Sequence, residues 1–571
     1  MQSKIQVRLL FAATTLLSTC ISFAQDTRLQ DDKKIPMENE TLDDAFLPNA
    51  YNNKKTSPAF KYKYKNEGAL NSTTGSTIFT NQVNVDAGGQ NILGDAANEP
   101  GITVTPLNPN EIVIGWRQFD NVSSNFRQAG WGYTTDAGQT WTFAGVIEQG
   151  IFRTDPVLDY DTAGNFYYNS LTIDSLSGAY LCKVFESADG GATWNNGTDA
   201  AGGDKQWMAI DRTAGVGSGN IYSAWTSFYS SCLPGFFTRS STGGSSFEPC
   251  IMVNGDPYWV SMAVGNSGEL VIGGGSQSGG LVVTKSLNAQ IPGSIISWNS
   301  VQVFMDGDLI FAPSINPAGF LGMVSIDIDK SSGPGSDNIY LLASLGRISN
   351  PDPADVMFAR STDGGLTWNS PIRINDDIST TNIQWFGTMS VAPDGRIDAA
   401  WFDTRDNPGS DESALYYSYS TDQGTTWSAN EKLSPSFDPH IGYPNQNKIG
   451  DYFDMISDNS GVHVAWANTL NGEEDVYYSR IIPGINTGVS EISGNDIFSI
   501  FPNPANGAFV ITGIANRSHI EISTILGGKV YSATTFKAKT EIDISSQPAG
   551  IYFLKIINQD GSIGVKKIIR E

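Results

Sequence analysis

A short pattern, S/T-x-D-x-G-x-T-W, recurs along the chain and limits its fold more than any other feature. It stands at Thr134–Trp141, Ser187–Trp194, Ser361–Trp368 and Ser420–Trp427. A decayed copy runs Ser240–Phe247, with Thr242 in the Asp position and Phe247 in the Trp position. These residue types describe a tight hairpin turn. The Asp carboxylate accepts backbone N–H groups, Gly supplies a left-handed backbone, and Trp leaves the turn to pack on its neighbours. Such repetition implies one supersecondary unit copied along the chain, each copy burying its apolar face against the next.

Each box follows an alternating strand, and seven such strands can be placed, from Trp131–Thr134 through Leu281–Thr284 to Val476–Arg480. Seven second strands (Ile112–Trp116 to Val462–Trp466) and seven inner strands (Ile102–Thr105 to Phe453–Ser457) precede them. The expected fold is all-β, a seven-bladed β-propeller with six blades as the alternative. The seventh repeat runs into Ile481-Ile482-Pro483 with no fourth strand, and Gln82–Asp86 is expected to supply it and close the ring. The boxes resemble the Asp-box (BNR) repeats of the sialidase superfamily, over roughly residues 80–482. That resemblance implies that the boxes are structural, joining third and fourth strands on the face opposite the active site. Sialidases proper have six blades, about one fewer than the strand tally gives here.

The chain has 571 residues, with 60 Gly, 13 Trp, 21 Tyr and 28 Phe, a profile suited to short strands and tight turns. Its net charge of −24 and pI near 4.5 repel phosphate backbones and anionic lipid, so neither nucleic acid nor a membrane surface is an expected partner. Lys4 and Arg8 precede an apolar run, Leu9–Phe23, and Ser22-Phe23-Ala24 places small residues at a cleavage site, so residues 1–24 read as a signal peptide. Residues 25–78 form a polar leader, 79–482 the propeller, 483–495 a linker, and 496–571 a separate module. No later segment is apolar enough to span a bilayer.

Once Cys20 is removed, Cys182, Cys232 and Cys250 remain, and the last two fall within one repeat, where they are free to pair in an oxidising compartment. No CxxC pair or Cys/His cluster is present, and Asp327, Asp329 and Asp337 lack EF-hand spacing, so neither a metal nor a cofactor is expected. With only His440, His463 and His519, His-dependent nucleophilic catalysis is disfavoured.

The last module opens with Phe498–Gly507, containing Pro502-Asn503-Pro504, continues through Pro548-Ala549-Gly550-Ile551-Tyr552-Phe553-Leu554-Lys555-Ile556, and ends Lys566-Lys567-Ile568-Ile569-Arg570-Glu571. From the residues alone it is a small β-sandwich. It resembles the type A C-terminal sorting domain of the Bacteroidota type IX secretion system. The resemblance implies contact with that machinery, export through the outer membrane, and either removal of the domain or anchoring at the cell surface.

In an antiparallel blade, the approach to each inner strand and the end of each second strand lie on one face, where propeller ligands usually sit. Those positions hold Glu99, Arg153 with Asp155, Lys205 with Trp207, Asp256 with Tyr258 and Trp259, Trp385, Asp451 with Tyr452, and also Arg117 and Arg405. Aromatic faces stack on pyranose C–H groups, and charged groups bind hydroxyls and acidic substituents. Glu99, Asp155, Asp256 and Asp451 are the candidate catalytic carboxyl groups, since a glycosidase needs two at a set separation. The other eight, together with Tyr452, are candidate substrate contacts. The sialidase resemblance would make Arg117, Arg153 and Arg405 a clamp for a substrate carboxylate, although none has the family's Arg-Ile-Pro setting and no Tyr/Glu pair can be assigned. Two readings stay open: an exo-acting glycoside hydrolase of sialidase-like type on extracellular glycans, and a non-catalytic surface propeller binding glycan or protein.

Overall fold

The alternation of apolar and polar residues is realised as antiparallel sheets that succeed one another along the chain. The structure is a computed structural model describing residues 55–65, 75–174, 176–350, 352–484, 498–514, 517–524, 528–558 and 563–571. The expected signal peptide and most of the polar leader lie outside the described residues. Among those residues the only helical element is a 3-10 turn, Ser227–Tyr229.

Contacts divide the chain into two units, 1–484 and 485–571. In the first, besides a two-stranded sheet of Thr56–Pro58 and Gln90–Ile92, seven sheets follow in order, and their innermost strands are Ala96–Val104, Thr154–Tyr160, Trp207–Ile210, Tyr258–Val264, Ser325–Ile328, Gln384–Val391 and Asp454–Asp458. Each innermost strand lies against the next, and Asp454–Asp458 returns to Ala96–Val104. Fully buried Trp116, Trp225, Trp401 and Trp466, each in or beside a second strand, fill the space between sheets.

The inner strands are tied by side-chain oxygens that accept backbone N–H groups from the following sheet. Asp159 takes Ile210 N (2.8 Å), Ser261 takes Ile326 N (3.1 Å), Asp327 takes Val391 N (2.9 Å), and Ser390 takes Ser457 N (3.0 Å). Asp454 Oδ2 accepts Ile102 N at 3.1 Å, which joins the last sheet to the first. Edge N–H groups that no ladder satisfies are thereby given acceptors.

The boxes have the geometry that their residues imply. At the first, Thr140 N donates to Asp136 Oδ1 (2.9 Å) and Gly138 N to Thr134 Oγ1 (3.2 Å). The bonds recur at Asp189, Asp363 and Asp422, and in the decayed copy Thr242 Oγ1 takes the place of the carboxylate. A sixth turn of this kind, not apparent in the sequence, uses Asn288: Ser297 N donates to Asn288 Oδ1 (2.9 Å) across an enlarged loop.

The closing strand lies upstream of the expected one. Thr77–Gln82, not Gln82–Asp86, pairs with Asp475–Ile482, and Lys61–Lys65 adds outside it. Lys61–Lys65, within the expected polar leader, and Thr77–Gln82, which begins at its end, therefore both belong to the seventh sheet. Cys232 and Cys250 form a disulfide, and Cys182 is free and buried.

The second unit contains two antiparallel sheets, Ser499–Phe501/Ala508–Thr512/Lys539–Asp543 and Lys529–Thr535/Ser518–Thr524/Gly550–Asn558/Ile563–Arg570. Phe509, Ile511 and Ile542 of one meet Ile520, Leu554, Ile556 and Ile568 of the other in a single core, as the sandwich expectation required.

Candidate functional site

A recurrent backbone device aims side chains at the approach to the inner strands. At the approach to the inner strands, two to four residues before their regular part, stand Glu99 (φ 48°), Asp155 (φ 50°), Lys205 (φ 55°), Trp259 (φ 50°), Gly322 (φ 153°), Phe386 (φ 56°) and Gly450 (φ 104°). The pairing with the second strand slips there in the first, second, fourth and sixth sheets. These are β-bulges, which bend a strand and redirect a side chain. A left-handed non-Gly residue costs about 1–2 kcal/mol, so five of them must be held by the surrounding packing.

Three of the bulge residues carry charge, in consecutive sheets, and they meet charges from the seventh. Arg117 Nε lies 3.2 Å from Glu99 Oε2, and Lys448 Nζ lies 3.3 Å from Glu99 Oε1. Lys205 Nζ lies 3.1 Å from Asp155 and 2.6 Å from Asp451, and Lys448 Nζ is also 2.6 Å from Asp451. Asn98 Oδ1 and Gln446 Oε1 accept from Arg117 at 2.7 and 3.0 Å. All six charged side chains are buried, with at most 5% of each exposed. Gly450 is needed here, since a Cβ on it would stand 2.8 Å from Glu99 Cγ.

The environment separates the carboxyl groups. Burial pushes Glu99 up to about 8 against the pull of Arg117 and Lys205. Burial also opposes the charge on Asp155 and Asp451, but Lys205 foremost, with Arg117 and Lys448, holds both below the ordinary carboxylate range. Near neutral pH the cluster thus sets a largely protonated Glu99 beside ionised Asp155 and Asp451. Burial raises the Tyr452 hydroxyl well above its usual value, and that hydroxyl donates to Pro156 O at 3.1 Å.

Little room is left around these groups. The adjoining cavity measures about 30 Å³ and is lined by Arg117, Asp155, Lys205, Lys448 and Asp451 under Phe311, Ala318 and Phe320. Phe320 stacks on Trp259 with centroids 4.1 Å apart, and Lys205 Nζ lies 5.4 Å from its ring. Asn316 Nδ2 donates to Gly450 O (2.8 Å), tying the segment 311–320, which crosses over the cluster, to the seventh sheet. A larger cavity, about 330 Å³, runs between the seven inner strands, with Trp207, Phe386 and Tyr452 in its lining.

The remaining expected residues fall elsewhere. Asp256 joins none of these ion pairs and sits half-buried in a turn, its N–H donating to Val253 O (3.3 Å). Arg153 is bound to Glu148 and lies over Phe185 at 4.9 Å. Arg405 bonds Asp403 (2.9 Å) and Asp376 (2.6 Å) and lies over Tyr416 at 4.5 Å. The three arginines thus each serve carboxylates of their own. Trp385, expected as a sugar platform, is fully buried and donates to Ser413 Oγ (3.0 Å). Trp207 is half-buried, edge-on to Tyr452 at 5.7 Å, and Tyr258 is edge-on to Trp259 at 5.0 Å. Lys448 was not apparent in the sequence, although it lies in the approach segment that contains Asp451.

Residues 499–571 match the family described as Secretion system C-terminal sorting domain. The chain therefore carries an export tail. It is addressed through type IX secretion to the cell surface or beyond, and no helix of the described residues is long and apolar enough to cross a membrane. No curated protein matches the sequence. Among solved structures it is similar to a protein of unknown function from Dyadobacter fermentans, at 13% identity and TM-score 0.41, covering 74% of this chain and 99% of that one. It is also similar to PorZ, a surface component of the type IX secretion system of Porphyromonas gingivalis (12%, TM-score 0.35, 88% and 65% covered), and to the NanB sialidase of Streptococcus pneumoniae (12%, TM-score 0.35, 68% of each). None of these likenesses bears on activity.

Proposed function

We propose that the chain is an exported, closed seven-bladed β-propeller that binds an extracellular glycan or protein partner without hydrolysing it, with residues 1–24 as its signal peptide. One observation carries this reading. The carboxyl groups best placed for catalysis, Glu99, Asp155 and Asp451, are buried within ion-pair distance of Arg117, Lys205 and Lys448, beside a cavity of only about 30 Å³. A pocket for a sugar ring needs roughly ten times that space. The cluster then serves as a buried bridge between the first, second, third and seventh sheets, and partners meet the outer surface of the ring.

The hydrolase reading retains one specific support. A carboxyl group raised to about 8 beside ionised carboxylates is the division of roles that acid–base catalysis uses. Screening the purified chain against sialosides and acidic polysaccharides, alongside a glycan array, separates the two. Retention on an array without release of sugar is expected. Turnover that Glu99→Gln abolishes would overthrow the binding-module reading.

A further inference from the structure

The same turn joins the first two strands in the third and fifth sheets. It reads Asp211-Arg-Thr-Ala-Gly-Val-Gly-Ser-Gly-Asn220 and Asp329-Lys-Ser-Ser-Gly-Pro-Gly-Ser-Asp-Asn338. Both close identically, with the Asp N–H donating to the Asn carbonyl at 2.9 Å. In each, one carboxylate oxygen binds the turn itself: Asp211 Oδ1 takes Thr213 N (2.8 Å) and Asp329 Oδ1 takes Ser331 N (2.9 Å). The second oxygen distinguishes them. Asp329 Oδ2 has the Tyr340 hydroxyl beside it: a Cβ on Gly335 would stand 2.3 Å from the one and 3.2 Å from the other. Asp211 is fully buried, and among the described residues nothing donates to its Oδ2.

A second acceptor lies near that oxygen. Gln290, from the enlarged turn of the fourth sheet, donates through Nε2 to Ser267 O (2.8 Å) and Leu287 O (3.2 Å), which fixes its amide with Oε1 turned inward. A Cβ placed on Gly268 would stand 2.2 Å from Gln290 Oε1 and 3.2 Å from Asp211 Oδ2. One on Gly217 would stand 2.3 Å from Asp211 Oδ2. Both oxygens therefore border one gap that two glycines keep open, with exposed Gly215 and Ser267 beside it as a path from solvent. A buried carboxylate oxygen opposite an amide oxygen is unfavourable unless something positive lies between them.

We propose that Asp211 Oδ2 and Gln290 Oε1 bind a calcium ion at the junction of the third and fourth sheets. Carboxylate and amide oxygens are hard ligands, and calcium tolerates the irregular, partly hydrated coordination that two side chains allow, whereas magnesium demands a near-ideal octahedron. Among the described residues no three acidic, His or Cys side chains form a cage, so the affinity belongs to the weak range of extracellular modules, about 10⁻⁴–10⁻³ M. An exported chain meets calcium at such levels outside the cell.

The repeat supplies a matched control. Equilibrium dialysis of the purified chain should find one calcium ion per chain, and the thermal midpoint should rise by roughly 1–3 °C from EDTA to about 10 mM calcium chloride. Asp211→Asn should abolish both effects, and Asp329→Asn should keep them. If Asp211→Asn does not fold, Gln290→Ala measured in the same way decides, with weakened binding expected. Equal midpoints in calcium and EDTA, binding untouched by either variant, equal loss in Asp329→Asn, or the same response to sodium would each overturn the proposal and leave a water molecule as the occupant.

Discussion

Glu99 shows how position decides the chemistry of a residue. On a surface it would be an ordinary carboxylate, but the bulge at φ 48° turns it into a closed cluster where burial favours the protonated form. Asp454 and Asp475 are likewise raised to about 7 by burial. A carboxyl group raised on folding contributes stability that is complete below its unfolded value and is lost as pH climbs through the folded one. Asp155 and Asp451 act in the opposite sense, because Lys205 and its neighbours keep them ionised, and their contribution is lost as pH falls below the usual carboxylate range. The unfolding midpoint should therefore fall between about pH 5.5 and pH 8.5, and Glu99→Gln should shrink that fall. Scanning calorimetry at the two pH values checks this, and an unchanged slope in the variant would refute the role given to Glu99. Lys205 is shared by two buried carboxylates, so Lys205→Met should cost about 3–5 kcal/mol in urea unfolding.

At the scale of elements, the boxes were legible because Asp, Gly and Trp each do a local job that leaves a fixed spacing. The Asn288 turn escaped because its insertion breaks that spacing while keeping the hydrogen bonds. The closing strand was misplaced for a similar reason. Gln82–Asp86 alternates as well as Thr77–Gln82 does, and only pairing with Asp475–Ile482 decides between them. The site positions Glu99, Asp155, Lys205 and Asp451 were legible from their place before inner strands. Their mutual neutralisation was not, since it depends on Lys448 and on the crossing segment that bears Phe320. The seam between first and seventh sheets carries two predictions. Gly138 sits at φ +83°, and a Cβ there would meet the Tyr478 ring at 2.1 Å, so Gly138→Ala should destabilise by about 2–4 kcal/mol, measured by urea unfolding. Deleting residues 55–82 uncovers the edge of Asp475–Ile482 and should give oligomers or aggregates on size exclusion; a stable monomer would contradict the assigned closure.

For the whole molecule, seven similar sheets and a small sandwich divide the labour between a scaffold and an address. The sandwich has its own core, and contacts separate it at residue 484, so a chain ending there should unfold at the same temperature as the full chain. On the proposed function, the charge cluster closes the face where a ligand was expected. Acetylation of native lysines, read by mass spectrometry, tests that closure most directly. Lys330 and Lys529, whose side chains are 42% and 56% exposed, should react rapidly, while Lys205 and Lys448, at 5%, should stay unmodified until the chain unfolds. Labelling of Lys205 and Lys448 at the rate of the exposed lysines would show the face to be open and would overturn the proposed binding function.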